Sequence, residues 1–126
     1  SYQKIIANYR IRSASQQLVR AITQAKECAL HNQSEIILCG SSNGIFCDGK
    51  WSNGQLIVDK ESKKLISIFP AVATGITVNW RSNLGHNELI VFTRMGIPEG
   101  QWGSFWIENN YSNDRRIVIN AVGHIS

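Results

Sequence analysis

Cys39 and Cys47 lie eight apart across a stretch rich in Gly, Ser and Asn, the arrangement a hairpin-closing disulfide requires. Closing so short a loop contributes roughly 2.5 kcal/mol in the chain-entropy account. The third cysteine, Cys28, falls inside a helical pattern and reads as a small buried apolar residue. A zinc site is the weaker reading, because three Cys and three His occur at no recognisable ligand spacing. A cysteine pair plus one spare leans toward an oxidising compartment.

The histidines are scattered: His31 at a helix end, His86 in a turn and His124 near the last residue. Each reads as a surface histidine rather than a catalytic base. Asp48 and Asp59 both flank turns, where Asp commonly caps main-chain groups, and nothing in their spacing demands a carboxylate pair. There is no G-x-S-x-G, H-E-x-x-H, P-loop or G-x-G-x-x-G pattern. The expectation is a chain with no catalytic residues, no metal site and no cofactor.

Trp51, Trp80, Trp102 and Trp106 are numerous for 126 residues, and core packing with turn anchoring is the first reading of each. The alternative is an aromatic and basic surface for single-stranded nucleic acid, with Arg81, Arg94, Arg115 and Arg116 nearby in sequence. Arg115 and Arg116 begin a strand, so their side chains should point to opposite faces, which weighs against a shared phosphate clamp. The net charge of +4 is too modest to argue for a nucleic-acid or membrane partner.

The elements that position these residues follow from periodicity. Ile11, Ala14, Leu18, Ile22, Ala25 and Ala29 step by three or four, and no Pro or Gly precedes Gly40. A helix from Ser1 to Gln33 would be about 45 Å long. Its C-terminal half is expected to pack on the rest of the chain, its N-terminal half to protrude, and Asn32 to cap it. Seven or eight short strands follow: Ser34–Cys39, a brief returning edge Ile45–Asp48, Gln55–Asp59, Leu65–Phe69, Ile76–Trp80, Glu88–Phe92, Ser104–Glu108 and Arg115–Val122. Strands do not alternate with helices, so the fold class is α+β, a long N-terminal α-helix packed on one or more antiparallel β-sheets. Helix 1–33 and β-rich head 34–126 form one domain with a real core. No stretch reaches eighteen apolar residues.

The block AKECALHNQSEIILC, Ala25 to Cys39, resembles the helix end and first strand of the GspH/FimT family of type IV pilin-like proteins, with Glu27, Asn32, Gln33, Leu38 and Cys39 among the matching positions. Cys47, Trp51 and Gly54 followed by LIVD, the ELIVFTRMG segment from Glu88 to Gly96, and RIVINAVG from Arg116 to Gly123 keep the family's order. The resemblance implies a type IV pilin-like fold whose residues 1–33 are the C-terminal part of a longer helix. It implies a preceding apolar segment in the inner membrane, a head in the periplasm and a place in a filament or at its tip. The implied partners are other minor pilins or pseudopilins and the major subunit.

Three roles are open within that family. The leading one is a minor pilin of a type IV pilus that helps initiate or cap the filament. The alternative is the minor, H-type pseudopilin of type II secretion, whose relatives often have longer loops than this chain. The third is a DNA-binding minor pilin of natural transformation. That branch ends in Gly-Arg-x-Arg, where this chain has Gly123-His124-Ile125-Ser126. Neither arginine is present, and Arg115, Arg116, Lys63 and Lys64 are the candidate DNA contacts instead.

Overall fold

A computed structural model describes residues 2–111 and 114–126. One helix, α1 (Tyr2–Asn32), is followed by β1 (Ile36–Gly40), a 3₁₀ turn (Trp51–Asn53), β2 (Gln55–Asp59), β3 (Leu65–Phe69), β4 (Thr77–Ser82), β5 (Leu89–Phe92), β6 (Gly103–Glu108) and β7 (Asp114–Ile119). The strands form two antiparallel sheets, ordered β3-β2-β1-β5 and β4-β6-β7. The α+β expectation holds, and the antiparallel strands divide into two sheets.

Packing of α1 follows its apolar stripe. All six residues of the expected face are buried, and Ala7, Ser15 and Ala21 join them. The helix touches β1, β2 and β5 of the first sheet and β6 and β7 of the second. Alanines on the stripe let the helix axis approach closely, and Ile11, Leu18 and Ile22 fill the space between. Full burial of each of these larger side chains contributes about 1.5–3 kcal/mol. Ser15 is tolerated because its hydroxyl donates to the Ile11 carbonyl at 2.9 Å.

The expected protrusion of the N-terminal half is not what the fold does. Burial extends to Ala7, and the Asn109 side-chain amide donates to the Ala7 carbonyl at 3.4 Å. Only residues before Ile6 are exposed on every face described. The second sheet, invisible to helical periodicity, supplies a seat for the upper turns. At the other end, Gln33 rather than Asn32 takes the left-handed conformation (φ 51°), and Ser34 N–H donates back to the Ala29 carbonyl at 3.3 Å.

The core joins both sheets through aromatic rings. Phe105 meets Trp51 edge-on at 4.8 Å and Trp80 at 4.7 Å between centroids. The Trp51 indole N–H donates to the Asn87 carbonyl at 2.7 Å. Gly40 permits this arrangement, because a Cβ there would stand 2.6 Å from the Trp51 nitrogen. Buried Gln55 donates to the Trp51 carbonyl and accepts from Gln17 of α1, so the polar group in the core is satisfied.

Ile45–Asp48 forms a loop, not the expected returning edge. Its first two main-chain donors turn to a side chain and the Asp48 N–H to the Gly40 carbonyl at 3.0 Å, so no ladder forms. Asn43 accepts from Ile45 and Phe46, and the Asp48 carboxylate accepts from the Ser42 and Lys50 N–H groups. The Ser42 hydroxyl also donates to Asp48. These bonds hold the Asp48 carboxyl below its ordinary range. Cys39 and Cys47 are joined in a disulfide that ties the loop to the end of β1.

Two outcomes follow from this packing. Leu18→Ala should lower unfolding free energy by about 2–5 kcal/mol, whereas Ile5→Ala, on the helix's open side, should change it by less than about 0.5 kcal/mol; urea denaturation measures both. Replacing Cys39 and Cys47 together by Ser should cost roughly 2.5 kcal/mol, read by the same titration.

Candidate functional site

The outer face of the second sheet carries a stacked trio. Phe105 and Ile107 of β6 point into the core, so Trp106 between them points out. It sits opposite Arg116 of β7, with Arg81 of β4 diagonally across. The Arg116 guanidinium carbon lies 3.9 Å from the Trp106 ring centroid and that of Arg81 4.6 Å. Two cations share one ring, a contact of about 0.5–1 kcal/mol each at an exposed site. Trp51 and Trp80 are core residues, but Trp106 is half-buried and Trp102 is exposed, so the packing reading holds for two of the four.

Arg115 faces the other way, as strand alternation requires. It reaches a groove between α1 and β7 that Arg12 and Arg20 line from the helix side. The groove has a volume of about 830 Å³. Lys63 and Lys64 lie elsewhere, in the β2–β3 turn of the first sheet. Lys63, with Lys60 and Arg94, lines a separate hollow there. Lys60 pairs with Glu35 at 3.1 Å and stands 3.9 Å from Glu99, which raises its pKa, first through the Glu35 hydrogen bond. The four candidate DNA contacts are therefore distributed over three places.

A third surface lies along the exposed side of α1. Tyr2, Ile5 and Tyr9 recur at i, i+3 and i+7, about half a turn away from the buried stripe. They are 77%, 67% and 69% exposed. A second apolar row thus faces away from the head at the upper end of the helix. Beside it, Tyr2, Gln3 and Arg10 border a hollow of about 470 Å³ closed by Thr74, Asn110 and Tyr111. The disulfide loop adds exposed Ile45 and Phe46.

The scattered acid–base groups do not converge. His31, His86 and His124 are exposed. Asp48 lies near the Gly40 end of the β1–β2 pair, while Asp59 lies opposite Ile36 at the other end. Both cap turns; Asp59 accepts from the Glu61 and Ser62 N–H groups, and its carboxyl too is held below its ordinary range, first by Ser62. Burial and then Glu27 push the Cys28 thiol up, away from the reactive thiolate. No described helix is long and apolar enough to cross a membrane.

Known proteins share this architecture. The chain is similar to type IV minor pilin FimU of Pseudomonas aeruginosa (strain PAO1) in two crystal forms. The first superposes with a TM-score of 0.78 at 19% identity, covering 94% of this chain and 88% of that one. The second gives 0.69 at 20% identity, covering 91% and 90%. No curated protein sequence matches the chain. The family described as type II transport protein GspH matches residues 14–123, from the middle of α1 to the glycine of the last turn. That span takes in the helix stripe from Ala14 on, both sheets and the disulfide, and the chain belongs to the GspH family of pilin-like proteins.

Proposed function

We propose that this chain is a minor pilin of a type IV pilus, a structural and non-enzymatic subunit that helps start or cap the filament. Its head stands in the periplasm, and its helix packs among the helices of neighbouring subunits. The observation that carries the reading is the exposed row Tyr2, Ile5 and Tyr9. Large apolar side chains at helical spacing, facing away from their own domain, mark a surface for another chain. The likeness to FimU supports the pilus in particular. The H-type pseudopilin of type II secretion is the second reading, favoured by the description of the matching family. The trio Arg81, Trp106 and Arg116 is the feature that keeps DNA capture as a third.

Deleting the gene and scoring surface pili, secretion and DNA uptake in the same cultures tests the proposal. Loss of pili is expected. Normal pili with failed secretion would move the protein to the secretion filament, and normal pili and secretion with failed transformation would assign it to DNA capture. Ile5→Glu with Tyr9→Glu should abolish complementation while leaving the urea midpoint of the purified domain unchanged, because both sites are exposed. Full piliation by that variant would remove the helix row from the argument.

A further inference from the structure

The second sheet ends in a hairpin that covers only part of its last strand. Asn120–Gly123 makes the turn, with Gly123 N–H donating to the Asn120 carbonyl at 3.0 Å. The chain then returns along β7. Asn120 N–H donates to the His124 carbonyl at 3.1 Å, and Val118 exchanges both main-chain bonds with Ser126 at 2.9 and 3.0 Å. Ile119 stands opposite Ile125. In an antiparallel strand the outward-facing main-chain groups recur every second residue. After Asn120 and Val118 the next are Arg116 and Asp114, and no described segment covers them.

The other sheet edges are blunted. Ile97 accepts from Thr93 and Glu99 donates to Val91 along β5. The Ser52 hydroxyl accepts from Val78 of β4. The outer strand β3 is flanked by Lys63, Lys64 and Pro70, residue types that discourage pairing. At β7 the uncovered edge at Arg116 instead borders the groove against α1. Val19, Ile117 and Ile125 give that groove apolar surface, and Arg12, Arg20 and Arg115 line it, while the Arg116 side chain lies on the opposite face over Trp106. Among the described residues none of these three groove arginines makes an ion pair.

We propose that this edge and groove take an extended segment of another protein chain as an added strand, one that carries carboxylate side chains. Main-chain groups of Arg116 and Asp114 would pair with it and continue the ladder that Ser126 begins. Alternate side chains would meet the apolar wall and the guanidinium groups, which match carboxylates in fork geometry. A strand edge is what distinguishes this occupant from DNA, since a duplex supplies phosphates but no ladder partner. The inference goes beyond the pilus reading and holds equally for a secretion filament, so a piliation result neither supports nor removes it.

The test uses ¹⁵N-labelled protein and a capped octapeptide of alternating glutamate and valine. At saturation, amide hydrogen exchange at Arg116 should slow by about tenfold or more, while that at Val118, already paired, changes little. A lysine–valine octapeptide should bind at least about tenfold more weakly, which is 1.4 kcal/mol or more. Arg20→Glu with Arg115→Glu should weaken glutamate-peptide binding by a similar factor; the peptide comparison on the unaltered protein stands even if that variant folds poorly. Unchanged exchange at Arg116 with bound peptide would overturn the proposal. So would equal affinity for the lysine peptide, displacement of the peptide by stoichiometric duplex DNA, or protection that grows with protein concentration alone and marks a second copy as the occupant.

Discussion

The seating of one helix across two sheets is the constraint on which this molecule depends. Neither sheet is large enough to bury both its faces, and neither has a helix of its own. A single row of alanines and branched aliphatics, from Ala7 to Ala29, covers both. Ala21, Ala25 and Ala29 are fully buried, so any larger residue there would lift the helix from its seat. Phe105, held between Trp51 and Trp80, then couples the second sheet to the 3₁₀ turn that joins β1 and β2 of the first. The charged groups are consequently left to the periphery, where their arrangement is free to serve recognition.

Much of the fold was legible because period and punctuation agree. QLIVD and LISIF are strands at the expected residues, since turn residues bound them on both sides. The helix face was readable as a stripe, and the disulfide from spacing across a turn. What failed was local sequence competing with tertiary contacts. Ile45–Asp48 has strand-like residues, but Asn43 accepts from Ile45 and Phe46, the Gly40 carbonyl accepts from Asp48, and the Asp48 carboxylate ties down Ser42 and Lys50 on either side, so the segment is held as a loop. The reach of the head along the helix depended on a second sheet that no helical pattern could announce.

The surface was less legible than the core. Strand alternation correctly separates Arg115 from Arg116, yet only the sheet register brings Arg81 and Arg116 to the same tryptophan. Arg12 and Arg20 join Arg115 across a hundred residues of sequence, a meeting no spacing rule encodes. The row Tyr2, Ile5 and Tyr9 was readable at helical period but is short, and the longer stripe on the opposite side of the helix dominates the pattern. Surface chemistry of this kind arises from register and layer, whereas core membership arises from period.

The manner in which α1 is attached also has a mechanical meaning. From Ala7 to Ala29 the helix lies flat against the head, over about 33 Å at 1.5 Å per residue. Lys26 near its lower end clasps the Gly123 carbonyl at 2.5 Å, and Asn109 holds Ala7 near its upper end. A pull along the helix axis would load these contacts together in shear, rather than peeling them open one at a time. The long flat seat makes the helix a tendon fixed along its length, suited to carrying tension into the head without unzipping from it.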